Sequence, residues 1–290
     1  MNKAGLLYVT IASLLWGTSG IFVRYLTPLG FSSLQMTAMR ALISSIGMAG
    51  YVFFKDKSLF KTNRKALFLF IAGGFSMYST ALFYYMSMQE SSIATAVVLM
   101  YTAPVFVMIY SVLFLGERFS LAKGISLIGM LLGCALISGI VGDAQFNAKG
   151  VFFGALSGIT YSIYNILAKI QMRQNNNPVT TSLYCFIFMA VAAVSLGNIP
   201  GVVGIVSQNP AGALPLVLGL GVVTCLLPYF FYTKAMEKLS AGIASSLGIM
   251  EPVAATLYGL LIFGEWPGIY GAIGFVCVLG SVLLLSRCEG

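Results

Sequence analysis

The sequence predicts an all-α membrane protein with ten transmembrane helices, arranged as two five-helix repeats of inverted topology. Three observations predict it. The 290-residue chain is 59% hydrophobic and only 8% charged, against roughly 25% charged in an average globular protein. Its apolar residues fall into ten long stretches, and the two halves of the chain repeat one another. A soluble fold of this length needs a charged surface that eight acids and sixteen bases cannot supply. The mean hydropathy of +0.93 fits a chain solvated by lipid.

The stretches run near Ala4–Leu26, Ser33–Phe54, Ala66–Met88, Ile93–Leu115, Leu121–Ile140, Gly150–Gln171, Val179–Ile199, Gly212–Thr233, Ala241–Phe263 and Gly268–Ser286. A helix needs about 20 apolar residues to cross the hydrocarbon layer. The runs are continuously apolar and lack the alternation of barrel strands, so helices are expected. The first run is too long for a cleaved signal peptide, and no polar mature domain follows it.

Charge sets the orientation. One set of loops and ends carries Lys3, Lys55, Lys57, Lys61, Arg64, Lys65, Arg118, Lys123, Lys169, Arg173, Lys234, Lys238 and Arg287. The opposite set carries Lys149 alone, while Arg24 and Arg40 fall within spans. The net charge of +8 is therefore an orientation signal rather than a nucleic-acid footprint. The positive-inside rule puts both termini in the cytoplasm, with the chain in the cell membrane.

The repeat is read from spacing. Tyr101-Thr102-Ala103-Pro104 leads to Leu115-Gly116-Glu117, and Ile249-Met250-Glu251-Pro252 leads to Phe263-Gly264-Glu265, both at an offset of 148. Gly5, Trp16 and Arg24 align with Gly150, Tyr161 and Lys169 at an offset of 145. Residues 1–141 and 142–290 are thus expected to be two copies of one unit, joined around Gly142–Lys149. Five spans are an odd number, so the second copy enters the membrane inverted. Inverted halves suit alternating access, and matched helix breaks at Pro104 and Pro252 point to a central site. Pro228 is a third expected break.

Ten helices in two inverted repeats, Trp16-Gly17, Arg40, the Pro-then-Gly-Glu pattern and Glu251-Pro252 with Gly264-Glu265 together resemble the EamA family of the drug/metabolite transporter superfamily. The resemblance spans nearly the whole chain. It implies a secondary transporter, an exporter or importer of small metabolites such as amino acids, quaternary amines, nucleotide-sugar relatives or toxic cations. Tyr161 in place of a tryptophan, and no counterpart of Arg40 in the second copy, depart from symmetry. The substrate is therefore not carried over.

An ionisable group within a membrane span marks a functional site by default. Glu251 is the foremost candidate, at mid-depth on a face reading Ala244, Gly248, Glu251, Ala255, Tyr258. With no histidine in the chain, a coupling proton would ride on this carboxylate. Arg40 could bind a substrate carboxylate, cap carbonyls of a neighbouring helix or pair with an acid. Trp16, Tyr78, Tyr101, Tyr161, Tyr164 and Asn165 are expected as substrate-binding residues, with Ser157 on the Tyr161 stripe and Tyr84, Tyr229 and Tyr232 as further walls. Such rings equally populate interfacial belts. Arg24 and Lys169 read as snorkelling residues. Glu117 and Glu265 read as architectural, each following a C-cap glycine.

These residues predict transport of a small polar or amphiphilic metabolite, foremost amino-acid export, with a quaternary amine as the alternative. No cofactor is expected. No metal site is expected from five scattered cysteines without histidine, and no P-loop is present. The string Gly17-Thr18-Ser19-Gly20 suggests an intramembrane serine enzyme, but such a nucleophile needs a base. A channel would display repeated rings of charge or carbonyls. The partners expected are a small-molecule substrate and the lipid bilayer, with no nucleic acid. Gly129-x-x-x-Gly133 and Gly154-x-x-x-Gly158 could pack within one chain or between two, so monomer and homodimer both stay open.

Overall fold

The computed structural model describes residues 3–114, 120–137, 147–174, 176–236, 238, 250–266 and 268–288, with the backbone alone at some positions, including Pro104, Lys169 and Pro252. Every regular element among the described residues is helical. In chain order these are α1 (Lys3–Gly17), α2 (Ser19–Leu26), α3 (Ser33–Lys55), α4 (Arg64–Glu90), α5 (Ile93–Met100), α6 (Ala103–Phe114) and α7 (Leu121–Ile137). The second half holds α8 (Ala148–Arg173), α9 (Pro178–Leu196), α10 (Ile199–Gln208), α11 (Pro210–Gly221), α12 (Leu227–Met236), α13 (Met250–Phe263) and α14 (Gly268–Cys288).

Seven segments are long and apolar enough to cross a membrane by length and composition: Lys3–Leu29, Ser33–Lys55, Ala66–Glu90, Thr95–Phe114, Ala148–Ala168, Pro178–Leu196 and Pro210–Tyr232. They overlap the first four expected stretches and the sixth to eighth. The fifth, ninth and tenth are met by α7, α13 and α14, whose described apolar parts are shorter. Ten full spans are therefore not met among the described residues, because 138–146 and 239–249 lie outside them. Large apolar side chains such as Phe68, Leu113, Leu261 and Ile269 are mostly exposed, as lipid contact requires. The protein is a multi-pass membrane protein.

Local chemistry sets the helix starts. Ser32 and Gln35 form a reciprocal capping box at the head of α3. Asn63 and Ser92 cap α4 and α5 through side-chain oxygens that accept from Ala66 and Thr95. Asn177-Pro178 and Asn209-Pro210 open α9 and α11, with asparagine as the cap and proline in the first turn.

Pro104 acts differently from a mid-helix kink. The stretch expected at Ile93–Leu115 is two helices, α5 and α6, parted at Tyr101–Thr102, and Pro104 lies in the first turn of α6. Its missing N–H falls where a helix has no partner for it, so the steric clash is avoided. Pro252 lies in the first described turn of α13, and Pro228 in the first turn of α12, directly after a π-helical turn at Val222–Leu226. The first stretch is also interrupted, at Thr18 between α1 and α2.

Helix pairing has a pattern. The principal contacts are α4 with α8, α7 with α14, α3 with α9, α4 with α9, α1 with α12, α5 with α8 and α1 with α13. Exchanging the two halves maps α4–α8 onto α12–α1 and α5–α8 onto α13–α1, and returns α3–α9 and α7–α14 to themselves. Within the pairs α7–α14 and α3–α9 the two helices run in opposite directions. Gly129 lies against Ser281 and Gly133 against Val278; Ala38 lies against Gly197, while Thr180 reaches the Leu59 carbonyl beyond the far end of α3. Gly129 and Gly133, like Gly154 and Gly158 against Leu99, thus serve packing within the chain.

Candidate functional site

The interrupted helices converge. A partly open cavity of about 60 Å³ lies where the α1/α2 break, the end of α5, the π-helical turn and the first described turn of α13 meet. That volume is on the scale of a few water molecules. Trp16 and Ser19 come from the first break, Met100 from the end of α5, Cys225 from the π-helical turn and Glu251 from α13. Backbone proximity allows this: a Cβ on Gly17 would stand only 2.7 Å from the Ala254 side chain, so α1 and α13 touch closely beside Glu251.

Glu251 is buried, and one carboxylate oxygen accepts a 2.8 Å hydrogen bond from the Tyr101 hydroxyl. Arg40 faces the same cavity from α3. Its Nη1 donates to the Tyr85 hydroxyl at 3.0 Å and its Nη2 to the Thr224 carbonyl at 3.1 Å. That carbonyl is available because Pro228, four residues on, has no N–H to give it. Of the three roles open to Arg40, the structure shows the carbonyl cap. Its Nε is buried and without a hydrogen-bond partner among the described residues. Arg40 and Glu251 make no direct ion pair there, and they act on one another only at longer range. A basic and an acidic side chain therefore face one small cavity, held by neutral partners rather than by each other.

The walls are aromatic and thioether. Tyr161 and Tyr164 stack at 6.3 Å on α8, with Asn165 beside the Tyr161 hydroxyl. Trp16 meets Tyr229 edge to face at 5.3 Å and Tyr232 at 5.5 Å. Trp16, Tyr161, Tyr164 and Glu251 line the cavity, as does Arg40, and Tyr101 reaches it through its bond to Glu251. Tyr78 does not line it. The α4 face turned inward is Met77, Thr80, Ala81 and Tyr84, at helical spacing. Tyr78 stands about 100° away on the helix and is buried in the cluster that α3, α4 and α9 share. Ser157 bonds to the Gly154 carbonyl on its own helix and is fully buried.

Met77, Met100, Met189, Thr80 and Cys225 are lining residues that the sequence reading missed. The spacing of Thr80 and Met77 from Tyr84 is the signal that could have found two of them. Arg24 also differs from its expected role, since it pairs with Glu265 instead of only reaching the interface. Gly264 has the left-handed φ of +66° expected of a C-cap. Glu117, Ala244 and Gly248 lie outside the described residues.

Comparison with known proteins agrees with this geometry. The EamA-like transporter family model matches twice, over residues 3–139 and 148–287. A transporter of Archaeoglobus fulgidus is 26% identical over 96% of this chain and 95% of its own. The Bacillus subtilis transporter YxxF is 24% identical over all of this chain and 92% of its own. Solute carrier family 35 member G1 of Mus musculus is 24% identical over 96% of this chain and 76% of its own. A solved structure titled only as the crystal structure of a protein covers 100% of the chain with a TM-score of 0.64 at 16% identity, a likeness of fold. With two family matches that together span almost its whole length, the chain belongs to the EamA-like transporter family, within the drug/metabolite transporter superfamily.

Proposed function

We propose that the protein is a secondary active transporter of a small zwitterionic metabolite, an amino acid or close relative, and that it exports this substrate by alternating access. One observation carries the reading: Arg40 and Glu251 face a single cavity with opposite charges and without pairing to each other. A zwitterion would satisfy both, its carboxylate on the guanidinium and its ammonium on the carboxylate, while the aromatic and thioether walls hold its side chain. Charged groups in a water-poor site bind far more strongly than in bulk. Glu251 would carry a coupling proton and the substrate's ammonium in turn.

The architecture in this proposal is ten spans in two inverted repeats, residues 1–141 and 142–290, with both termini cytoplasmic in the cell membrane. The exchange-symmetric pairing, the opposite directions of α3 and α9 and of α7 and α14, and the double family match support it. Inverted halves exchange conformations to open first one side and then the other.

A quaternary amine is the second reading, favoured by the rings of Trp16, Tyr161 and Tyr164 around a carboxylate. Each ring would add about 0.5–2 kcal/mol for a cation. Arg40 in the same cavity opposes it. A thermal-shift series on the purified protein separates the two, because a ligand that binds only the native state raises Tm. Stabilisation by free amino acids but not by their amides or by choline is expected. Stabilisation by choline alone would reject the zwitterion. Saturable counterflow in vesicles marks a carrier, and ohmic conductance a channel.

A further inference from the structure

The tyrosine hydroxyls around Arg40 and Glu251 are not used alike. Tyr85 accepts from Arg40, and Tyr101 donates to Glu251. Tyr84 lines the cavity, yet its hydroxyl is buried without a hydrogen-bond partner among the described residues. It lies within electrostatic reach of Glu251, Tyr85 and Arg40. A buried hydroxyl left unpaired destabilises the fold that contains it, and phenylalanine would fill the same space without that cost. Packing also fixes the ring. Tyr84 is 3% exposed, sits in the cluster that holds Tyr85, Met100 and Tyr101, and has its centroid 6.0 Å from that of Tyr85. A side chain already held this way loses little freedom when a ligand arrives.

Arg40 repeats the pattern. Two of its nitrogens are engaged, while its Nε–H is buried without a partner among the described residues. Two unsatisfied donors thus belong to side chains that line one cavity and are otherwise held in place. A carboxylate offers two acceptor oxygens and no donor, the complement of such a pair. Tyr78, six positions earlier on α4, provides the contrast. Its hydroxyl is also buried and unpaired, but it stands in the apolar cluster that α3, α4 and α9 share, away from the cavity.

We propose that the Tyr84 hydroxyl and the Arg40 Nε–H together bind the substrate's carboxylate, one oxygen each, so that Tyr84 is a specificity-determining residue. The proposal rests on the zwitterion reading above and supplies the second donor that reading lacks. An amide at the same end of the substrate turns an NH₂ group towards one of the two donors and leaves it unpaired. A site built to hydrogen-bond one group rejects an analogue that cannot complete the bond.

Thermal-shift titrations of the purified protein with leucine and with leucinamide test the assignment, leucine being chosen for its apolar side chain against the aromatic and thioether walls. Tyr84→Phe is expected to weaken leucine binding about tenfold or more and to lower the preference for leucine over leucinamide by a similar factor. Its Tm without ligand is expected to stay level or rise, because an unpaired buried hydroxyl is removed. Tyr78→Phe is expected to have the same effect on Tm and to leave leucine binding unchanged. Unaltered leucine binding by Tyr84→Phe overturns the assignment and leaves the hydroxyl to a bound water. Equal weakening of leucine and leucinamide overturns it as well, since the hydroxyl would then serve another part of the ligand, and a fall in Tm would assign it to folding. A parent protein that no free amino acid stabilises overturns the zwitterion reading itself, and the carboxylate subsite with it.

Discussion

The Tyr101 hydroxyl donates a 2.8 Å hydrogen bond to Glu251, and the two residues stand 150 positions apart in opposite halves of the chain. Tyr101 ends α5 at the helix break, and Glu251 sits in the first described turn of α13. The bond therefore ties the break in one half to a buried carboxylate of the other. A conformational change that separates the halves at this point must release it.

Glu251→Gln is expected to abolish substrate exchange and to flatten its pH dependence, because the amide neither holds a proton nor neutralises an ammonium. Tyr101→Phe keeps the carboxylate and removes its anchor. A hydrogen bond to a charged group contributes about 1.5–3 kcal/mol, so the substrate KM is expected to rise about tenfold or more with a smaller change in kcat. Counterflow of labelled substrate across a pH series measures both, and a Gln variant with wild-type exchange would remove Glu251 from the mechanism.

Arg40 is held as a fork, one nitrogen on Tyr85 and one on the Thr224 carbonyl. A lysine ammonium cannot reproduce that planar two-point hold. Arg40→Lys is expected to retain a folded protein, judged by its melting curve in detergent, and to lose at least about tenfold in substrate affinity. Tyr85→Phe should give a smaller loss in the same direction. Equal binding by Arg40→Lys would show that only the charge matters.

Pro228 supplies a sharper test of the same residue. Alanine at this position restores the N–H that an α-helix would direct to the Thr224 carbonyl, in competition with Arg40. Pro228→Ala is expected to leave Tm unchanged or higher, since an unfavourable helix residue is removed, and yet to weaken binding of carboxylate-bearing substrates. Parallel melting and binding titrations decide it; loss of both together would mean that the substitution acts on folding.

Much of this molecule was legible in the chain. The apolar stretches gave the helices, since nothing except lipid burial accounts for such runs, and the offsets of 148 and 145 gave the repeat that the family model matches twice. Glu251, Trp16 and Tyr161 line one cavity, and the sequence singled them out because an acid within a span is costly and the two rings align between the halves. Pro104 is legible as a break but not as a first-turn residue, because helix continuity depends on the tertiary packing that lets α5 stop at Tyr101. Tyr78 and Tyr84 are separated by six positions on one long apolar helix whose neighbours on each side the sequence does not reveal, so spacing alone could not choose between them. Met100 and Met189 carry no sequence signal, since methionine is a common core residue. The Arg24–Glu265 pair was missed because it spans 241 positions.

Outside the spans, Asp56 offers a pH handle on stability. Hydrogen bonds from the Ser58 side chain and backbone hold its carboxyl below the usual carboxylate range, with Lys55 adding attraction. A folded value below the unfolded one stabilises the protein above the ordinary carboxylate range, and that contribution is lost as pH falls through the depressed value. The difference in Tm between the wild type and Asp56→Ala is therefore expected at neutral pH and should vanish in acid. A difference that persists in acid would assign the effect to the turn backbone rather than to the charge.

Three methionines, Met77, Met100 and Met189, line the cavity that Arg40 and Glu251 also face. Unbranched thioethers change rotamer at low cost and fill irregular shapes, so the pocket wall can reshape while Arg40 and Glu251 stay held by their hydrogen bonds. Cargo length is then loosely policed and cargo charge strictly: homologues that differ by a methylene or a ring should be carried at comparable rates, whereas esterifying or acetylating either terminus should stop passage altogether.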